Sequence, residues 1–201
     1  MSAEFAERVQ VTVAAKGSDL VLWLRPTLRE MPLPIQKFDD PFLPFSRAVI
    51  NATHAVVCAY LFDLAAYMAL GAAGTVALER SIAHAAAQRD VLTILHGPFY
   101  GPDYATASAN LAFNADAVTI LRPEDAPAYH ALGVQALLFG PAPAGTLSAI
   151  SRFDPDQSRV TVARANGAGE ISLRVIAEDT LGRGYDDDFP ERACTRLESL
   201  R

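Results

Sequence analysis

Ala55-Val56-Val57-Cys58-Ala59-Tyr60-Leu61 is an apolar run of strand length, and Val91-Leu92-Thr93-Ile94-Leu95 is another. Between them lie two helical patterns, Leu64 to Ala69 and Gly74 to Gln88, the second with Val76, Leu78, Ile82 and Ala86 on one face. Strands that are apolar throughout, joined through a helix, predict a parallel sheet buried on both sides. Working outward, Leu20 to Leu24, Ala117 to Leu121 and Ala136 to Phe139 read as further buried strands, and Pro41 to Ala52, Tyr104 to Phe113 and Glu124 to Leu132 as helices. The strands recur at roughly 20 to 35 residues, the span of a strand plus its crossover helix. Five βα units result.

After Gly140 the pattern changes. Pro141, Pro143 and Gly145 break the chain, so Gly140-Pro141-Ala142-Pro143-Ala144-Gly145 reads as a connector or, alternatively, a lid. Val160 to Ala165 and Glu170 to Ala177 then alternate around Asn166-Gly167-Ala168-Gly169, which predicts a hairpin. A hairpin joins antiparallel strands, so this part need not continue a regular (β/α)₈ pattern. Arg183 to Asp188 reads as a polar loop and Phe189 to Leu200 as a terminal helix.

The chain has 201 residues, 51% hydrophobic and 20% charged, and one domain over residues 1–201 is expected. A net charge of -6 argues against a nucleic-acid partner or an anionic membrane surface, both of which need clustered Lys and Arg. Two cysteines, Cys58 and Cys194, build neither a disulfide framework nor a cysteine-based zinc site, so a cytoplasmic setting is expected. Met1 to Gln10 lacks the basic start and apolar core of a signal peptide, and Asp63 interrupts the longest apolar run. No cofactor or metal is implied.

The segments Ala15-Lys16-Gly17-Ser18-Asp19-Leu20-Val21-Leu22-Trp23-Leu24-Arg25-Pro26, Phe45 to Thr53, Val57-Cys58-Ala59-Tyr60 and Asn114 to Ile120 share an order and spacing. Tyr67, Leu70, Gly71, Gly74 and Leu78-Glu79-Arg80 fit the same frame. Together, from Ala14 to Ile120, they resemble the N-terminal part of the orotidine 5′-phosphate decarboxylase family in its longer bacterial subgroup. The resemblance implies an α/β fold derived from a TIM barrel, here with an abbreviated or rearranged C-terminal third, a small-molecule substrate and a homodimer. The family's third strand ends in Asp-x-Lys-x-x-Asp, the array that stabilises and protonates the carbanion left by carbon dioxide. The matching positions here are His96, Pro98 and Gly101. Arg25 stands for the first-strand aspartate and Leu61 for the second-strand lysine. The reaction asks an enzyme for on the order of 20 kcal/mol. Orotidine monophosphate decarboxylation is therefore not expected from this sequence reading.

The expectation is instead a rebuilt mouth, because the functional face of a parallel barrel is at the C-terminal ends of its strands. Leu61, Phe62, Phe99 and Phe139 form an apolar cup, with Arg25, Asp63, His96, Tyr100 and Arg122 as polar handles. His96 is either a proton carrier or a histidine bonded to nearby backbone. Arg25 and Arg122 either clamp an anion or pair with Asp63 and Glu124. Tyr100 either donates to a carbonyl or packs with its hydroxyl wet, and Asp63 either orients His96 or caps the helix at Leu64. The function expected is a cofactor-free isomerase, cyclase or lyase acting on a small, partly apolar metabolite. Two alternatives stay open: a non-catalytic relative that binds a ligand or partner subunit, and orotidine monophosphate decarboxylation itself.

Overall fold

Leu20 to Leu24 is a strand with the bounds its composition predicts, and seven more strands close on it to form a barrel. A computed structural model describes residues 2–97, 101–107, 113–141, 150–164, 169–178 and 188–201. In chain order the elements are α1 (Ser2–Lys16), β1 (Leu20–Leu24), α2 (Leu33–Gln36), α3 (Phe42–Thr53), β2 (Ala59–Asp63), α4 (Leu64–Met68), α5 (Ala72–Ala86), β3 (Leu92–His96) and α6 (Pro102–Ala107). There follow β4 (Ala117–Ile120), α7 (Ala126–Ala131), β5 (Gln135–Phe139), β6 (Arg152–Asp154), β7 (Arg159–Ala163), β8 (Glu170–Ala177) and α8 (Phe189–Glu198).

Period-two alternation divides the strand residues between two cores. Val21, Leu61, Ile94, Ala117, Leu137 and Val162 fill the barrel with their neighbours. Leu22, Tyr60, Phe62, Leu95, Val118 and Ile120 face outward to the helices, where Phe45, Leu78, Ile82 and Leu197 meet them. Helix α1 joins the inner core: Phe5, Ala6 and Val9 are buried against it, and Arg8 bonds Asp116, next to the start of β4, at 2.7 Å. The helix therefore closes the N-terminal end of the barrel. Burial of Phe5 and Val9 contributes about 1.5 to 3 kcal/mol each.

From β1 to β6 every pair is parallel, as is β8 with β1, but β7 runs against both of its neighbours. The expected hairpin is β7–β8, and a second one, through Pro155 to Ser158, joins β6 to β7. The outer face of this part is polar. Arg152 pairs with Glu170 at 3.2 Å, Arg159 donates to Ser172 at 2.7 Å, and Arg174 grips Asp19 at 2.6 Å. A face of this chemistry is stable against water, so these strands need no crossover helices to cover them. The C-terminal third is thus rearranged, and it closes the barrel.

Most boundaries lie within two residues of the sequence expectation, and two of the differences are informative. The run Ala55 to Leu61 begins as the end of α3: the Val56 and Val57 N–H groups both donate to Thr53 O, and β2 starts only at Ala59. Helix α6 covers Pro102–Ala107, and part of the helix expected at Tyr104 to Phe113 lies outside the described residues. So do residues 142–149, 165–168 and 179–187, which hold most of the connector, the hairpin turn and the polar loop. At the α4–α5 corner, a Cβ on Gly74 would stand 1.8 Å from Tyr67 O, so only glycine fits that approach.

Candidate functional site at the barrel mouth

Opposite α1, the ends of β1 to β6 and of β8 bring their last inward residues together. They are Trp23, Asp63, His96, Thr119, Phe139 and Phe153, with Arg25 and Glu178 just beyond β1 and β8. Four rings occupy the centre. The edges and faces of Trp23 and Phe153 meet at 5.3 Å and 87°, His96 and Phe153 at 5.1 Å and 81°, and Trp23 and His96 at 5.7 Å and 82°. Phe139 tilts over His96 at 5.0 Å. T-shaped pairs set the positive ring edge on the negative face, each contributing about 0.5 to 1.5 kcal/mol beyond area burial. The mouth is therefore plugged at its centre.

His96 Nδ1 lies 3.1 Å from Thr119 Oγ1, and Gly97 N–H donates to the same oxygen at 3.0 Å. Burial lowers the His96 pKa, Asp63 opposes that and Arg25 adds to it. The imidazole is neutral at neutral pH as a result. Arg25 lies over the Trp23 ring at 4.6 Å, with its Nε 3.7 Å from Asp63 Oδ2. Its backbone N–H donates to the buried Glu178 carboxylate at 3.0 Å, which ties the end of β1 to the end of β8. Asp63 also caps α4 by accepting the Ala66 N–H at 3.1 Å. Beside them, Arg25, Thr27, Glu30, Asp63, Ala65 and Ala66 line a groove of 230 Å³. Among the described residues, no group of three His, Cys, Asp or Glu is placed to hold a metal ion, and no helix is long and apolar enough to cross a membrane.

The barrel gathers Arg25, Asp63, His96 and Phe139, but other expected site residues stand elsewhere. Phe62 points away from the mouth and packs on Tyr60 and Tyr67 in the outer core. Leu61 is fully buried inside the barrel below Asp63. Adjacent strand residues take opposite faces, so these two cannot share a cup. Arg122 does not join Arg25 in a clamp. It donates to Asp125 at 2.9 and 3.2 Å and reaches Glu124 at 3.9 Å, and the Asp125 hydrogen bond raises its pKa. Phe99 and Tyr100 lie outside the described residues. Trp23, Thr119, Phe153 and Glu178 belong to the site and were not expected. Stepping back two residues from Arg25 finds Trp23, but no apolar run announces the short strand that carries Phe153.

No family model matches the chain. Among curated proteins, orotidine 5′-phosphate decarboxylase of Thermomicrobium roseum is 42% identical over 74 residues, 37% of this chain and 26% of that protein. The decarboxylase of Herpetosiphon aurantiacus is 32% identical over 119 residues, 58% of this chain and 44% of the relative, and that of a Roseiflexus strain is 34% identical over the same length. Over part of its length this chain is similar to the orotidine 5′-phosphate decarboxylases. The chain spans less than half the length of these decarboxylases. The barrel agrees in fold with a Toxoplasma gondii chain assigned as an orotidine-monophosphate decarboxylase (TM-score 0.57, 22% identity, 74% of this chain and 53% of that one). It also agrees with Leishmania donovani OMP decarboxylase (TM-score 0.51, 19% identity, 73% and 58%). At such identities the likeness shows the TIM-barrel fold.

These decarboxylases overturn the expectation of an isomerase, cyclase or lyase rebuilt for an apolar metabolite. The relatives are enzymes named for the activity that the replaced Asp-x-Lys-x-x-Asp array argued against. The geometry removes the expectation's physical basis as well. Among the described residues the apolar cup does not form, because Phe62 faces outward, Leu61 lies deep and Phe139 is part of the ring plug.

Proposed function

We propose that the chain is an orotidine 5′-phosphate decarboxylase-type enzyme that takes its nucleotide at the mouth of the barrel. The likeness to the Herpetosiphon aurantiacus and Roseiflexus decarboxylases over 119 residues carries this reading. Loss of carbon dioxide leaves an electron pair on the pyrimidine ring, and a nearby cation in a site of low polarity stabilises it until a proton from water takes the place of the carbon dioxide. Among the described residues, Arg25 is the cation this mouth offers, held in place by the Trp23 face and Asp63. His96 is the polar ring set against the base. The chain's two lysines do not serve: Lys16 is bound to Asp90 and to His54 O, and Lys37 lies exposed after α2.

The replacement of the charged array by His96, Pro98 and Gly101 favours a second reading, in which the nucleotide binds without turnover. One experiment separates the two. Purified protein is given orotidine 5′-monophosphate while uridine 5′-monophosphate formation is followed, and thermal unfolding is measured with each nucleotide. Turnover that Arg25→Ala abolishes and Arg122→Ala leaves intact supports decarboxylation. Stabilisation without turnover selects the second reading, and neither effect refutes both. A homodimer, as the resemblance implies, sediments at twice the chain mass of 21.5 kDa, and a monomer at micromolar concentration removes that part of the proposal.

A further inference from the structure

Thr119 is fully buried and its hydroxyl serves two groups at the end of β3. A threonine hydroxyl has one hydrogen to donate and two lone pairs to accept with. Gly97 N–H can only donate, so it occupies one lone pair. Among the described residues, the acceptor in reach of the hydroxyl hydrogen is then His96 Nδ1, at 3.1 Å. The opposite arrangement, with Nδ1–H donating to Thr119, places two donors on the oxygen and leaves its own hydrogen without an acceptor in a buried site.

We infer that Thr119 holds His96 as the neutral Nε2–H tautomer, so that β3 presents a hydrogen-bond donor at the mouth and not a general base. Thr119 is thereby a positioning residue. The surroundings agree: Trp23, Phe139 and Phe153 are packed on the imidazole, and among the described residues the charged groups that act on it are Asp63 from β2 and Arg25 beyond β1. Burial disfavours the imidazolium, in keeping with the lowered His96 pKa. The ligand chemistry that suits a neutral N–H is a carbonyl or carboxylate oxygen. That this oxygen is the carbonyl of a pyrimidine base rests on the proposed function, whereas the tautomer does not.

Nitrogen-15 NMR of the imidazoles in the full chain at neutral pH tests this, with the His96 signals assigned from His96→Gln. The expected spectrum has a protonated Nε2 and a bare Nδ1. Thr119→Val keeps the side-chain shape and removes the hydroxyl, so the tautomers mix; Thr119→Ser restores the original spectrum. A wild-type spectrum with the proton on Nδ1 overturns the inference without recourse to any variant, and so does a Thr119→Val spectrum identical to wild type. Added uridine 5′-monophosphate then shifts the Nε2 signal. Nucleotide that raises the melting temperature without moving that signal refutes the carbonyl contact. Nucleotide that does not bind at all counts against the proposed function and leaves the tautomer assignment standing.

Discussion

Replacing Phe153 by alanine removes the ring that Trp23 and His96 meet nearly at right angles, at 5.3 and 5.1 Å, and on which Phe139 leans at 5.9 Å. The side chain is completely buried. Truncating a buried phenylalanine costs about 3 to 5 kcal/mol, the spread reflecting how far the cavity collapses. Here the neighbours are themselves rigid rings, which restricts collapse, and two edge-to-face contacts go with the lost area. A loss of about 4 kcal/mol is therefore expected. In a domain of this length each kcal/mol moves the melting temperature by about 2 to 4 °C, so the fall is about 8 to 16 °C. Urea unfolding followed by tryptophan fluorescence reads the same loss as a lower midpoint at unchanged slope, and Trp23, the chain's one tryptophan, sits in the plug itself. Phe38→Ala, at a largely exposed side chain, is the control and changes stability by less than about 0.5 kcal/mol. A loss below about 1 kcal/mol for Phe153→Ala would refute the closed centre of the mouth.

Acid lowers stability through His96. Its folded pKa lies below the ordinary 6.5, so as pH falls below that value the unfolded chain takes up the proton first, and stability declines until the folded pKa is passed. His84 and His130 act in the same direction. Urea midpoints between pH 7.5 and pH 5 fall less steeply in His96→Gln than in wild type, and equal slopes would rule His96 out as a contributor. Gly74→Ala, which drives a methyl into Tyr67 O, costs about 3 kcal/mol by urea unfolding; a neutral result would mean that α4 and α5 are further apart than described. Arg174→Ala releases Asp19 and Leu200 O, and with the guanidinium partly exposed the loss is about 1 kcal/mol. Hydrogen exchange at the end of α8 rises with it, and unchanged exchange there would separate the C-terminus from this contact.

Strands buried on both faces announce themselves as apolar runs, which is why β1, β3, β4 and β5 were legible to within a residue or so. The run holding β2 misled at its start because valines also suit the turn that finishes α3. The hairpin was legible from its alternation around a glycine-rich turn. Strand β6, three residues long, has too little pattern for any period to show. Helix α1 carries a signal, Phe5, Val9 and Val13 at helical spacing, to which a test for a targeting segment is blind. At the mouth, the strand ends located Arg25, Asp63 and His96. The side on which each residue falls decided the rest. Phe62 failed on the two-residue period, and Arg122 failed because a carboxylate three residues along the chain is a nearer partner than any ligand.

The reversal of β7 also bears on how the chain reaches its native state. Strand β7 pairs with β6 and with β8, its neighbours in sequence, so this meander can assemble locally on the timescale of a hairpin. Closure is the opposite kind of event, for β8 must find β1, and the Arg174–Asp19 contact that accompanies it spans 155 residues. Such a long loop is entropically costly to shut and sets a slow late step. A chain cut before β8 would carry the exposed edges of β1 and β7, ready to pair with another copy. The eight residues of β8 are thus the latch against edge-to-edge pairing of copies.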